Sequence, residues 1–123
     1  MNSLVLVGDG LSIRLYESAA WSVVEVEGDL DMASLPLRRR ILAASGPRVV
    51  FDLRRVAFMD ASGLGLLGAS HDASARAGGS VRVSGATAHV RKLLAITHMD
   101  QGISIFSTLG EALAAPAATG APT

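Results

Sequence analysis

Apolar and polar positions alternate along 11–15, with Leu11, Ile13 and Leu15 on one side and Ser12 and Arg14 on the other. The alternation returns over 22–27, where Val24 and Val26 share a side. A period of two is that of a half-buried strand, and the link at 16–21 reads as a hairpin connection, so the two strands are expected to pair antiparallel. Residues 4–7 suit a short edge strand, although nothing else constrains them. The period then lengthens: Leu37, Ile41 and Ala44 make the buried stripe of a helix over 33–45, which Gly46-Pro47 stops. Pro36 fits such a helix only in its first turn, where its missing N–H costs nothing.

The run 48–53 is apolar apart from Arg48 and Asp52, as expected of a parallel strand covered on both faces. A leucine-rich helix follows Ser62 and should continue to about residue 77, stopping at Gly78-Gly79. Leu64, Leu67, His71 and Ala75 fall at i, i+3, i+7 and i+11 and are expected to face inward. Leu66 lies off that stripe, which points it toward a partner. Gly63, Gly65 and Gly68 weaken the first two turns by roughly 1 kcal/mol each relative to alanine. In exchange they offer bare backbone that another protein can approach closely.

A strand over 80–84 comes next. Thr87 then caps a helix with Val90, Leu93, Leu94 and Thr97 at inward spacing, with a weak claim to be a second phosphosite. A last strand is expected at 103–106, and Thr108-Leu109-Gly110-Glu111 has the spacing of a capping box for a final helix. After Pro116 the composition collapses to Ala, Pro, Thr and Gly, so 116–123 is expected to be a disordered tail. The whole is an α/β chain of one domain, 1–115: two leading antiparallel strands, then alternating α/β units in a mixed sheet with helices.

Composition narrows the function. At 123 residues, half of them hydrophobic and only 4% aromatic, the chain can build one aliphatic core. A formal net charge of zero, with ten arginines and one lysine mostly scattered, removes the electrostatic case for nucleic acid or an anionic membrane. Cysteine is absent, which excludes disulfide and thiol chemistry and agrees with a cytoplasmic setting. The first residues lack a basic stretch, and their apolar run is too short for a signal peptide or a membrane span. His71, His89 and His98 are too far apart to meet locally, so neither a metal nor another cofactor is expected.

The chemistry concentrates where the central strand gives way to a helix, at Asp60, Ser62 and Gly63. Unpaired N–H groups and aligned peptide dipoles at a helix start favour negative charge, so a phosphate carried on Ser62 would sit in a receptive field. Asp60 or Ser62 could equally serve as a plain N-cap. Asp52 invites comparison with the phosphorylated aspartate of receiver domains. The acidic pair and late lysine those domains need are missing, so it reads as a strand-end residue bonded to nearby backbone. A nucleophilic role for Ser62 has little support, because Asp60-Ala61-Ser62-Gly63 lacks the leading glycine of the G-x-S-x-G elbow and no histidine is placed as a base.

The run Phe58-Met59-Asp60-Ala61-Ser62-Gly63-Leu64-Gly65-Leu66-Leu67 resembles the signature of the STAS domain family, specifically the bacterial anti-anti-sigma factors, or anti-sigma factor antagonists. The likeness extends from about residue 12, through Gly28-Asp29-Leu30-Asp31, to about residue 114. It implies that Ser62 is the residue phosphorylated by a partner kinase and that Asp31 is the acidic residue near it, a role compatible with capping the helix that follows. The implied protein is a phosphoacceptor rather than an enzyme. Its partners would be an anti-sigma factor with serine kinase activity, docking on Asp31, Asp60, Ser62, Gly63 and Leu66, and a PP2C-type phosphatase that resets it. Ala61 stands where the family often has a second serine, which leaves one hydroxyl to modify. The alternative within the family is an accessory subunit of a transporter, or a component of a stress-signalling scaffold, with no switch.

Overall fold

In the computed structural model, residues 3–116 are described. Six strands form one sheet in chain order: β1 Ser3–Gly8, β2 Leu11–Ser18, β3 Trp21–Gly28, β4 Arg48–Arg55, β5 Ser80–Ser84 and β6 Ser104–Phe106. The first three pair antiparallel and the last three add on in parallel. The mixed α/β sheet is therefore as expected, with one strand more in its antiparallel half. The 4–7 segment is part of a full edge strand in register with β2 from Ser3↔Tyr16 to Gly8↔Leu11. The β2–β3 connection is also tighter than the sequence suggested: only Ala19 and Ala20 lie between the strands, both at positive φ (53° and 68°). Two successive left-handed residues match the twist of a two-residue hairpin, a turn usually announced by glycine or asparagine and here made by alanine.

Three α-helices cover one face: α1 Arg38–Ala44, α2 Ala61–Arg76 and α3 Ala88–Ile96. They pack Ile41, Leu66, Leu67, Val90 and Leu94 onto the inward side chains of the strands, among them Ile13, Val24, Val26, Phe51 and Val83. The helix expected over 33–45 is split, because 3-10 geometry runs over Met32–Leu37 before α1 begins. Pro36 sits inside the 3-10 part, past the first turn. There its missing N–H removes no bond from a regular α-helix, which begins only at Arg38.

Among the described residues the opposite face is covered at one end only, where α4 Leu109–Ala114 packs Ala112 over Trp21 and Val50. Arg82, on the β5 position between Val81 and Val83, is buried there. It donates to the carbonyls of Ala112 (2.5 Å), Ala115 (2.8 Å) and Pro116 (2.8 Å) and lies 4.3 Å above the Trp21 ring. A guanidinium on the last carbonyls of a helix satisfies orphan acceptors and complements the dipole. Burial, and to a lesser degree Arg48, pull its pKa below the usual arginine value. The C-terminal segment expected to be disordered lies, from residue 117 on, outside the described residues.

Candidate functional site

The site is assembled by a clamp between two loops that leave neighbouring parallel strands. Beyond β3, the Leu30 amide donates to the Phe58 carbonyl at 2.9 Å. The Asp60 amide returns a bond to the Leu30 carbonyl at 3.3 Å. Leu30 and Met59 thus form an isolated parallel bridge, and both side chains are buried. Each is followed at once by an aspartate. Because the bridge sets the two chains in parallel register, Asp31 and Asp60 emerge side by side.

Both aspartates are helix caps of the same kind. Asp31 (φ −123°, ψ −150°) accepts from the Ala33 amide at 3.0 Å, and Asp60 (φ −120°, ψ −164°) accepts from the Ser62 amide at 2.8 Å. The capping role left open between Asp60 and Ser62 therefore falls to Asp60. Ser62, in the first turn of α2, is half-buried, and its hydroxyl makes no hydrogen bond among the described residues.

Two expected contact residues are placed differently. Leu66 is fully buried in the main core, so it does not face a partner. The inward stripe of α2 is Gly63, Leu66, Leu67, Ser70 and Ser74, one position off the expected one, while Ala75 is exposed and His71 only partly covered. Hydrophobicity misled because three of the five inward positions are glycine or serine, small residues that let the helix settle close to the sheet. Gly63 is also internal. A Cβ there would stand 2.4 Å from the Leu30 carbonyl oxygen and 2.7 Å from Met59 Cγ. The bare backbone at this position admits the molecule's own clamp, not another protein.

The exposed rim comes from residues the sequence did not single out. Met32 (69% exposed), Leu35 and Phe58 are large apolar side chains open to solvent, and Phe58 stacks on His89 with ring centroids 5.8 Å apart. Met32 and Leu35 occupy the 3-10 segment that follows Asp31, and Phe58 precedes Asp60 by two residues. The one sequence signal was an apolar residue within two positions of each capping aspartate, outside any periodic stripe.

Asp52 is elsewhere, buried on the sheet face opposite α2. Its Oδ1 accepts weakly from the Arg54 amide at 3.4 Å, and Oδ2 lies 3.4 Å from Arg54 Nε. Among the described residues, no group of three or more His, Cys, Asp or Glu could hold a metal ion. No helix among them is long and apolar enough to cross a membrane.

A family model of the STAS domain matches residues 12–112. Among solved structures, the chain is similar to an anti-sigma factor antagonist from Mycobacterium paratuberculosis: 28% identity, TM-score 0.73, covering 84% of this chain and 91% of that one. It is similar in fold to the Bacillus cell fate determinant SpoIIAA in its phosphorylated form, at 21% identity and TM-score 0.67 over 82% of this chain and 96% of that one. A sulfate transporter family protein from Wolinella succinogenes shares the fold at 18% identity and TM-score 0.66, over 75% and 80% of the two chains.

Proposed function

The chain belongs to the STAS domain family, and from that premise we propose that it is an anti-sigma factor antagonist switched by phosphorylation of Ser62. Unmodified, the surface formed by Asp31, Asp60 and Ser62 and rimmed by Met32, Leu35 and Phe58 docks an anti-sigma factor that is also a serine kinase, and the sigma factor is released. The kinase brings ATP and Mg²⁺. The Ser62 oxygen attacks the γ-phosphorus, the bond to the β–γ bridging oxygen breaks, ADP leaves, and the hydroxyl proton passes to a base on the kinase. A phosphatase of the PP2C type hydrolyses the ester and restores the hydroxyl.

The observation that carries this reading is Ser62, a partly exposed residue whose hydroxyl has no hydrogen bond among the described residues, at a helix start already capped by one carboxylate and flanked by another. A phosphoryl group adds about −1.5 to −2 charges beside Asp60 and Asp31, on ground the partner must desolvate. A loss of roughly 3 kcal/mol there weakens docking by about two orders of magnitude. The exposed apolar rim supplies the contact area that this charge would spoil.

Two experiments test the proposal. Incubation with a candidate anti-sigma kinase and radiolabelled ATP should place label on Ser62 alone, and label elsewhere or none counts against the switch. In a pull-down, Ser62→Ala should retain that kinase while Ser62→Asp loses it. Equal retention of both would favour a STAS subunit without a switch, as in the transporter-associated reading.

A further inference from the structure

The arginines divide into groups by what they touch. Arg14, Arg54 and Arg55 pair with Glu25, Asp52 and Glu27 on the open face of the sheet, and Arg48 and Arg82 lie over Trp21. Arg38, Arg39 and Arg76 have no carboxylate within ion-pair distance among the described residues, and all three line one groove of about 610 Å³ between α1 and α2 with Leu35, Leu42 and Ala73. In a chain of zero net charge, three arginines without an ion pair among the described residues share one groove alongside the helix that carries Ser62.

Arg38 is the one that reaches toward the switch. It opens α1, and its Nη1 lies 3.6 Å from where a Cβ on Gly65 would be. Gly65 follows Ser62 by three residues, so the two positions are neighbours on one face of α2, with Cβ positions about 5–6 Å apart. A long guanidinium with no ion pair among the described residues thus rests on the turn that bears the hydroxyl, in space that a side chain at Gly65 would contest. The two nearby carboxylates, Asp31 and Asp60, are engaged by the amides of their own helical segments.

We propose that Arg38 receives the phosphoryl group once Ser62 carries it, forming a charge-assisted contact between α1 and α2. This deepens the switch and rests on Ser62 being its site. The modification then does two things. It adds negative charge, and it draws the guanidinium off the groove to bind two phosphoryl oxygens, the geometry that suits an arginine fork. The phosphate is held by the molecule's own surface, and a phosphatase must displace Arg38 to reach it.

The test places phosphoserine at position 62 by genetic encoding, so that no kinase is needed, and follows its second ionisation by phosphorus NMR. An adjacent guanidinium favours the dianion, so Arg38→Gln should raise that pKa by about half a unit relative to the otherwise unchanged protein. Arg38→Lys should fall between, and Arg39→Gln, on the same helix, should titrate with the parent. The other ionisable groups near the site, Asp31, Asp60, Arg39 and His89, are identical in the parent and Arg38→Gln, so the difference isolates Arg38. Arg38→Gln titrating with the parent, or Arg39→Gln shifting as far, overturns the proposal. Thermal unfolding of unmodified Arg38→Gln, expected to match the parent, confirms that the comparison is between folded proteins. Because the phosphate is encoded, failure of the kinase reading shows separately, as no label on Ser62 in the kinase assay.

Discussion

Asp31 and Asp60 start their helical segments with nearly the same backbone angles and the same bond to the amide two residues on, yet the serines that follow have opposite fates. After Asp31 the order is Met32-Ala33-Ser34. Ser34 falls at the third position, is 1% exposed, and gives its hydroxyl to the Asp31 carbonyl at 2.7 Å. After Asp60 the order is Ala61-Ser62-Gly63. The third, buried position is glycine and the serine sits one residue earlier, half-buried and with its hydroxyl unbonded among the described residues. One residue of register separates a structural serine from a modifiable one. Residue type and the capping aspartate are the same in both, so position within the first turn decides availability.

That comparison can be broken from either side. The largest effect is expected from Gly63→Ala, since a Cβ 2.4 Å from the Leu30 carbonyl oxygen must push the two loops apart. It should destabilise the fold by about 3 kcal/mol in urea unfolding, within the range of overpacking at a rigid contact. Ser34→Ala removes a buried hydroxyl together with its bond and should cost ~1–2 kcal/mol in the same assay. Phe58→Ala should leave stability nearly unchanged while weakening the kinase complex about fivefold, near 1 kcal/mol, by isothermal titration. Ser62→Ala should stay within ~0.5 kcal/mol of the parent in unfolding. A cost for Ser62→Ala equal to that of Ser34→Ala would mean that both hydroxyls are structural, and the contrast would be lost.

Much of the α/β order was legible because period-two and period-3.6 stripes depend on local geometry, and caps such as Thr87 and Thr108 act within a few residues of themselves. The inward face of α2 was not. Gly63, Ser70 and Ser74 carry no hydrophobic signal, and closeness to the sheet selects them for small size. Arg82 was similarly opaque: on an alternating strand it reads as solvent-facing, and only the docking of α4 gives its guanidinium three carbonyls to bind.

The α/β class, the family and the serine at a helix start were all written locally, because a ten-residue run with its flanking stripes encodes strand, cap and helix through contacts between near neighbours. Packing between distant segments set Asp31 beside Asp60, sealed Leu66 in the core, and laid Arg38, which has no ion pair among the described residues, on the turn after Ser62. Those facts depend on the Leu30–Met59 bridge and on α1 meeting α2, contacts between segments about thirty residues apart that no local pattern can specify.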